Sequence, residues 1–591
     1  MSKPLEDYAI IGDGETVALV GKDGSIDWLC WPRFDSEACF AALLGTEAQG
    51  RFFLGPDFEG WHIERRYRQD TLVLETEFSR GGNRARLIDF MPPRDGASSI
   101  IRIVEGISGE VPFRLDMAAH FDYGLLPPWA ERHSATDMAA TLGPHMVVLR
   151  GAVPIEIVGH KATASFTVSA GQNLPFTLTY GDATKPPPAA PSAATALRAT
   201  ETAWKSWAGQ FRKPTRWREA VVRSLITLKA LIHQPSGGLV AAPTTSLPEI
   251  IGGKANWDYR YCWLRDATFT VSALLNAGYH KEAEAWRDWM LRVIGGSPDK
   301  LRIMYRVDGV RQLPEWELGW LPGYENSRPV RNGNQASAQE QIDIHGEVIE
   351  ALHLLGKAGI GRTDHGCVVE RGLVERLEQV WSDRGHGVWE SREEPREYVY
   401  SKVMAWAGID RFLRGPASRS HADPDFIGRL EALRERIHAE VCEKGYDRSR
   451  GHFVHYYGSR QLDGSLLLIP ATGFLPVQDE RIAGTIRAIE QEMMEGGLVL
   501  RKPRSKAPEE GAFLACSFWL TDCRSMQGRQ AKAEALFERV LSVSNDVGLL
   551  SEEYDLGRNR LCGNFPQALT HLSLVTTALG LCGPVLQRAG G

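Results

Sequence analysis

The chain has 591 residues, 43% of them hydrophobic, with 68 basic and 74 acidic side chains and a formal net charge of −6. This balance of charge gives no positive electrostatic potential that would attract nucleic acid, and no polybasic segment that would bind a membrane surface. We see no secretory signal pattern, no apolar stretch of about 20 residues, and no CxxC pair or zinc spacing among the nine cysteines, so we expect a cytoplasmic protein with reduced thiols.

Residues 1–185 have the alternating pattern of β-strands. Short runs at 71–78, 99–104 and 162–168 are separated by Gly, Pro, Asp and Asn turns. Strands spaced in this way are typical of an antiparallel β-sandwich. A Pro/Ala-rich stretch follows, and residues 186–212 are predicted to form a linker and a connecting helix.

From residue 213 to residue 591 the hydrophobic period changes from 2 to 3.6. Paired helices without intervening strands favour an α/α toroid over an α/β barrel. The absence of an exact internal repeat favours a closed barrel of divergent helical hairpins over a solenoid. The predicted helices lie near 216–234, 264–280, 282–295, 335–356, 367–383, 399–414, 424–443, 479–494, 511–526, 530–545 and 565–581.

The densest cluster of polar and aromatic side chains is the segment 256–266, directly before an apolar helix. It ends on Arg265 and Asp266, an adjacent donor and acceptor, and it contains the rings of Tyr259 and Trp263. Such a set could grip sugar hydroxyls while an aromatic face stacks on the ring. The alternative is an ordinary helix-capping aspartate paired with its neighbouring arginine.

A second candidate is the pair Trp389-Glu390, in a loop before a predicted helix. A carboxylate beside an indole is poorly solvated, which raises its pKa and suits it to donate a proton near neutral pH. The alternative is an ordinary surface glutamate.

A third candidate is the acidic group Glu552, Glu553 and Asp555, which follows Leu549 and Leu550. Like charges beside apolar residues cost stability unless they bind cations or exchange protons. The alternative is a solvated acidic turn. Glycosidic cleavage with inversion needs one protonated and one ionised carboxyl, roughly 6.5–9.5 Å apart with a water between.

These segments, in this order, resemble glycoside hydrolase family 15, the glucoamylase family, which also contains bacterial trehalases and glucodextranases. The segments 12–16 and 23–36 are similar to the family as well, so the resemblance spans nearly the whole chain. It implies a multidomain α and β fold, with an N-terminal antiparallel β-sandwich followed by an (α/α)6 barrel.

The resemblance also implies roles for the acidic residues. The general acid of the family lies in a tryptophan-glutamate pair, here Trp389-Glu390, and both residues are expected at the substrate. The general base is the first glutamate after a serine, here Glu552, with Glu553 expected near the sugar.

The arginine-aspartate pair that holds the outermost glucose in the family matches Arg265 and Asp266. Tyr259 and Trp263 match the aromatic residues that precede this pair. Arg501 is similar to a sugar-contacting arginine, although the following segment 502–507 departs from the family's glycine-rich, acidic loop.

Two further matches concern the surroundings of these residues. The segment 341–347 resembles a helix motif near the barrel centre, and we expect its polar residues to tie helices together. Ser391 stands where fungal members carry a second glutamate, which puts the usual contacts of the next sugar in doubt.

The resemblance predicts an exo-acting hydrolase that releases β-glucose from trehalose or a short α-gluco-oligosaccharide without a metal or organic cofactor. The partner is then a small α-glucoside; the oligomeric state stays open. We expect Trp316, Trp320 and Tyr324 to line the subsite beyond the cleaved bond or, equally well, to pack within their loop. Alternative functions are an α-glucoside phosphorylase of the related clan and an inactive carbohydrate-binding protein.

Overall fold

The computed structural model describes residues 3–295, 297–361, 363–415, 423–504 and 510–583. Its N-terminal region consists of two antiparallel sheets of eight strands each, as the alternating pattern predicted. The strands are β1 Tyr8–Gly12, β2 Val17–Gly21, β3 Ser25–Cys30, β4 Ala38–Phe40, β5 Arg51–Pro56, β6 His62–Tyr67, β7 Leu74–Arg80, β8 Asn83–Phe90, β9 Ser99–Ser108, β10 Glu110–Ala118, β11 Trp129–Arg132, β12 Asp137–Leu142, β13 His145–Arg150, β14 Glu156–Val158, β15 Lys161–Ser169 and β16 Asn173–Asp182.

The two sheets pack face to face. One has the order β1-β2-β3-β5-β10-β15-β14 with β4 paired to β3, and the other has the order β11-β12-β13-β16-β9-β8-β7-β6. Phe113 of the first sheet meets Phe78 of the second edge to face, with ring centroids 6.0 Å apart. Asp89 and Arg102 form a buried ion pair within the second sheet, and Arg102 reaches across the interface to donate to the carbonyls of Phe52 and Gly24. The buried charge is tolerated because every nitrogen of the guanidinium has a hydrogen-bond acceptor.

A connecting helix, α1 Ala193–Ala208, leads into the helical region. The helices that follow are α2 Arg218–Leu231, α3 Ala267–Ala277, α4 His280–Ile294, α5 Asp343–Lys357, α6 Asp364–Val380, α7 Val399–Arg414, α8 Pro424–Lys444, α9 Ile469–Thr472, α10 Glu480–Glu492, α11 Leu514–Met526, α12 Gln530–Leu541 and α13 Ala568–Cys582. Each predicted helical window overlaps one of these helices.

The helices form two concentric rings, the (α/α)6 barrel that the sequence predicted. The inner ring runs α3, α5, α7, the segment 464–472 with α9, α11 and α13, and it closes where α13 packs on α3. Inner helices such as α3 are buried almost throughout, whereas outer helices such as α4 bury only Ala283, Trp286, Trp289 and their neighbours on one face. The sixth inner position was not predicted. It is a 3-10 turn followed by one α-helical turn, which ends at Gly473 in the left-handed conformation.

Short strands of two to four residues stiffen the loops at one end of the barrel. Two groups matter for the site: β17 Thr245–Pro248 pairs with β18 Asn256–Asp258, and β27 Ala512–Phe513 pairs with β28 Glu553–Asp555, which in turn pairs with β29 Arg560–Cys562. The others are β19 Cys262–Trp263 with β20 Met304–Tyr305, β21 Trp316–Glu317 with β22 Arg331–Asn332, β23 Tyr446–Asp447 with β24 His452–Phe453, and β25 Met494–Glu495 with β26 Leu498–Val499.

The N-terminal sheets contact these loops through buried polar groups. The Trp28 indole donates to the carbonyl of Pro243 at 2.8 Å, and Arg260 donates to the carbonyl of Ser36 at 2.8 Å. Arg260 also pairs with Asp258 and has no exposed surface. The segment 258–260, next to the predicted sugar-binding residues, is thus fixed from the N-terminal side. No helix among the described residues is long and apolar enough to cross a membrane.

Candidate active site

Six of the nine predicted site residues line one cavity of about 380 Å³ at the end of the barrel where the inner helices begin. Arg265 precedes α3, Glu390 precedes α7, Phe513 precedes α11 and Glu552 precedes α13. The inner helices run in the same direction because each is separated from the next by an outer helix, so their N-terminal ends meet here. The lining residues are Glu249, Trp257, Tyr259, Arg265, Asn334, Ala336, Trp389, Glu390, Ser391, Arg392, Glu393, Arg501, Lys502, Phe513, Glu552 and Gln567.

Glu390 lies on one side of the cavity, in a loop that holds it firmly. Its backbone is left-handed, with φ of 54°, and Gln339 donates to its carbonyl at 3.2 Å. Its Oε1 accepts from Arg265 Nη1 at 2.6 Å and from Trp263 Nε1 at 2.8 Å. Burial raises the pKa of Glu390, while Arg265 and the Trp263 N–H oppose that rise. A strained backbone fixed by such contacts is a feature of functional loops.

Arg265 and Asp266 form an ion pair at 2.9 Å, and Arg265 has a second role. One of its nitrogens reaches Glu390 and the carbonyl of Val388, so it links the start of α3 to the loop of the acid. The Asp266 side chain makes no capping hydrogen bond to α3, although Asp266 is the N-cap residue. The pair is therefore not the ordinary helix cap. Arg265 lines the cavity, whereas Asp266 supports it from behind.

Glu552 lies on the other side of the cavity and is 1% exposed. Its Oε1 accepts from the Tyr259 hydroxyl at 2.6 Å, and its buried Oε2 has no hydrogen-bond partner among the described residues. Burial and the neighbouring carboxylate of Glu249 raise the pKa of Glu552 to about 8, against the lowering effect of Tyr259. Glycine is required behind it, because a Cβ at Gly563 would lie 2.7 Å from Glu552 Oε2 and Gly563 has a φ of 73°.

Tyr259 and Trp263 connect the two carboxylates. Their rings meet edge to face with centroids 5.2 Å apart, while the Tyr259 hydroxyl binds Glu552 and the Trp263 indole binds Glu390. The aromatic pair therefore acts as a rigid spacer with one carboxylate at each end. A fixed separation between two carboxyl groups is what glycoside hydrolysis requires, since it sets whether water fits between base and sugar.

Trp389 forms an apolar wall beside the acid. Its ring stacks on Trp519 and meets Phe513 edge to face. Its indole N–H donates to both carboxylate oxygens of Asp463, at 2.9 and 3.0 Å, so it does not bind Glu390. The donor that Glu390 uses comes instead from Trp263, which is not its chain neighbour.

Arg501 lies in a group of carboxylates rather than free in the cavity. It donates to both oxygens of Glu510, at 2.6 and 2.7 Å, and to Glu249 at 2.9 Å, and it lies 3.9 Å from Glu553. Within the described ranges, Glu249, Glu510 and Glu553 form the one group of acidic, His or Cys side chains with ligand atoms close enough for a cation, within 4.8 Å of one another. The Arg501 guanidinium supplies positive charge to that group. Of the segment 502–507, residues 505–507 lie outside the described part of the chain.

Glu553 is turned away from the cavity that Glu552 lines. It is fully buried, its Oε2 accepts from the backbone N–H of Gly511 at 2.9 Å, and it is not a lining residue. Successive residues in a strand point to opposite sides, and Glu553 begins β28 directly after Glu552. The expected sugar contact of Glu553 is therefore not supported.

The three aromatic residues expected at the next subsite do not line the cavity. Tyr324 is buried and binds the carbonyl of Lys3, while Trp316 and Trp320 are 50% and 41% exposed. Trp257 and Glu249 do line the cavity, although neither was predicted as a site residue. Trp257 lies two positions before Tyr259 in the segment 256–266, so its place in that cluster was a usable signal. No sequence signal pointed to Glu249.

The polar residues of the segment 341–347 tie inner helices together, as expected. Ser401 of α7 donates to Asp343 of α5 at 2.9 Å, and Tyr400 donates to Glu347 at 2.6 Å. Burial raises the pKa of Asp343 to about 6 and lowers that of His345 to about 4. These side chains lie below the cavity, and none of them lines it.

Comparison with known proteins gives the same family for the whole chain. Residues 215–579 match the model of glycosyl hydrolases family 15, and residues 1–204 match the model of the trehalase-like N-terminal domain. A trehalase from Thermoplasma volcanium is 33% identical over 99% of this chain and 94% of its own length. A trehalase from Mycolicibacterium smegmatis is 35% identical over 98% and 91%. A bacterial glucoamylase, solved in complex with acarbose, has the same fold with a TM-score of 0.71 and 12% identity, covering 99% of this chain and 95% of the other.

Proposed function

Because this chain belongs to glycosyl hydrolase family 15, we propose that it hydrolyses trehalose, with Glu390 as general acid and Glu552 as general base. The chain is an inverting, exo-acting α-glucoside hydrolase, and its substrate is a small sugar. The observation that carries the residue assignment is that both glutamates line one cavity and are joined by one aromatic pair.

The departing sugar receives its proton from Glu390. Both donors that reach this side chain, Arg265 and Trp263, bind the same oxygen, Oε1. A proton on the other oxygen can therefore be directed at the glycosidic oxygen while these donors hold the carboxyl in place. Arg265, with Asp266 behind it, is suited to bind hydroxyls of the terminal glucose. The ring of Tyr259, which lines the cavity and meets Trp263 edge to face, can stabilise the positive charge that develops at C1.

The attacking water is activated by Glu552. With Tyr259 donating to Oε1, the carboxylate is fixed in the plane from which it can accept the proton of a water molecule at the far face of C1. Attack opposite the departing bond inverts the anomeric carbon and gives β-glucose from an α-glucoside. A phosphorylase would use phosphate in place of the activated water and would not need this carboxylate.

Trehalose is proposed as the substrate because relatives named trehalase match nearly the full length of the chain, including the N-terminal region. The polar lining and the volume of about 380 Å³ fit a small hydroxyl-rich ligand. Glu249, Arg501 and Trp257 also line the cavity, so both charged and aromatic groups face the ligand.

A glucose-release screen tests the substrate. We expect the highest kcat/KM on trehalose among trehalose, maltose, isomaltose, kojibiose, nigerose and maltotetraose. Proton NMR of the first turnovers should show one β-glucose and one α-glucose per trehalose, because only one of the two units is attacked by water. Two α-glucose molecules per trehalose would contradict inversion. Faster turnover of another sugar would make that sugar the substrate in place of trehalose. A requirement for phosphate would indicate the phosphorylase.

A further inference from the structure

Glu249 is a cavity residue to which the mechanism above assigns no role. It follows β17, and the backbone N–H of Gly563 donates to the carbonyl of Pro248 at 2.7 Å, next to Glu249. Gly563 is the residue that packs against the Glu552 side chain. The chain segment of Glu249 is thus attached directly to the wall behind Glu552, and its carboxylate charge acts on that residue more than any other charge does.

The hydrogen bonds around Glu249 are those of an ionised carboxylate. Its Oε1 accepts from the Trp257 indole at 3.0 Å, and its Oε2 accepts from Arg501 at 2.9 Å. Both partners can only donate, so neither oxygen needs a proton of its own. Burial raises the pKa of Glu249, which is only 5% exposed, while Arg501 and the Trp257 N–H oppose that rise. These two donors hold the negative charge of Glu249 in place on the cavity wall.

Glu552 has the opposite arrangement. One of its oxygens accepts from Tyr259, and the other is buried with no partner among the described residues, so a proton there breaks no hydrogen bond. Among the described residues, the ionisable groups that act on Glu552 or on its neighbour Glu553 include Glu249, Glu510, Tyr259 and the cation Arg501. Four carboxylates beside this guanidinium cannot all be ionised in a buried site. Glu249 has a donor on each oxygen, whereas Glu552 and Glu553 each have one buried oxygen without a hydrogen-bond partner in this part of the structure, so the geometry favours charge on Glu249 and protons on Glu552 and Glu553.

We propose that Glu249 is a positioning residue whose fixed negative charge raises the proton affinity of Glu552 and makes it a stronger base. The inference rests on the proposed role of Glu552 in hydrolysis. Glu249 acts through the electric field at Glu552 and through the anchoring of Arg501 and Trp257. A base that holds its proton more tightly takes one from water more readily once it is ionised. The cost is that it becomes ionised only at higher pH.

The test is the pH dependence of kcat/KM for trehalose in the full-length chain. Glu249→Gln keeps the shape and removes the charge. We expect the limb on which activity rises with pH to move toward acid by about one pH unit, the size of effect that a nearby like charge has on a carboxyl group. The maximal kcat should fall by about threefold, because the base is weaker. Glu249→Asp, which moves the charge one methylene farther from Glu552, should shift the limb in the same direction by less.

Glu393→Gln is the matched control, since it removes a carboxylate from the exposed rim of the same cavity and should leave the limb in place. An unshifted limb in folded Glu249→Gln overturns the inference, and so does a folded variant that is inactive at every pH, because that would place Glu249 in the reaction itself. If Glu249→Gln does not fold, an unshifted limb in Glu249→Asp has the same meaning. Failure of the proposed function looks different: Glu552→Gln would then retain wild-type turnover.

Discussion

The two sides of the cavity hold the same kind of side chain in opposite surroundings. Glu390 is bound by donors, the guanidinium of Arg265 and the indole of Trp263. Glu552 lies beside the carboxylate of Glu249, and its Oε1 accepts from a neutral hydroxyl, that of Tyr259. A simple design would place the acid beside anions and the base beside cations, because this assigns the proton to the acid.

The difference teaches that the assignment of the proton depends on the bound sugar as well as on the protein. Burial raises the pKa of both carboxyl groups, to about 8 for Glu552, and Arg265 opposes that rise at Glu390. Catalysis needs a protonated Glu390 and an ionised Glu552. Arg265 is shared between the acid and the expected position of the terminal glucose. We expect sugar hydroxyls to compete for this guanidinium, which weakens its hold on Glu390 and raises the pKa of the acid when substrate is bound.

The largest expected effect separates the two sides by their roles. Glu390→Gln and Glu552→Gln should each lower kcat on trehalose by about three orders of magnitude, since each removes one proton transfer. α-Glucosyl fluoride has a leaving group that needs no proton, so Glu390→Gln should recover on it and Glu552→Gln should not. Circular dichroism of both variants controls for folding. Recovery of the Glu552 variant instead would exchange the two roles.

The next effect concerns Arg265, the cation that binds the Glu390 carboxylate directly. Arg265→Lys keeps the charge but loses the fork that reaches Asp266 and Glu390 together. We expect kcat/KM for trehalose to fall by about 100-fold, because a charged hydrogen-bonding group for the sugar is misplaced. The limb on which activity falls at high pH should also move to higher pH, since Arg265 lowers the pKa of Glu390. A change in KM alone, with the high-pH limb unmoved, would mean that Arg265 does not control the pKa of Glu390.

A smaller effect tests the neutral donor on the Glu552 side. Tyr259→Phe removes the hydroxyl that lowers the pKa of Glu552, so this pKa should rise further above its ordinary value. The acidic limb should then move to higher pH, and kcat/KM near pH 6 should fall by about tenfold. This shift has the opposite sign to that expected for Glu249→Gln. Equal directions in the two variants would mean that general distortion of the cavity, rather than charge, sets the limb.

The smallest effect is on stability. The folded-state pKa of Glu552 is raised to about 8, so the folded protein binds a proton that the unfolded chain releases near the ordinary glutamate pKa of 4.5. Stability is therefore lost as the pH rises through this interval. Glu552→Gln, which cannot ionise, should melt about 2–4 °C higher than wild type at pH 9 and at the same temperature at pH 4.5, by differential scanning calorimetry at one scan rate. Equal melting temperatures at both pH values would contradict the buried charge.

Much of the architecture follows from local patterns. The change from period 2 to period 3.6 near residue 213 reflects side-chain burial along each element, and such burial repeats within a few residues. The cluster of residues proposed to bind sugar could be found for the same reason. Its members all lie within the eight positions 259–266, so they are visible together in one segment of sequence: Tyr259, Trp263, Arg265 and Asp266. The exception is the inner segment 464–472, whose single helical turn is too short for a periodic signal.

Contacts between distant segments had no such signal. The sequence put the Trp389 indole beside Glu390, yet its N–H binds Asp463 and the donor to Glu390 comes from Trp263, 127 positions away. Tyr259 and Glu552 are 293 positions apart, and Glu249 reaches Arg501 over 252.

The sequence by itself determined the order of the motifs, the two kinds of secondary structure and the residue types available for acid–base chemistry. Tertiary structure alone decided which glutamate faces the cavity, which one turns to Arg501, and which charges surround each of them. The physical reason is range: burial period and chain neighbours act over a few residues, whereas electrostatic environment depends on every group that the fold brings within several ångströms.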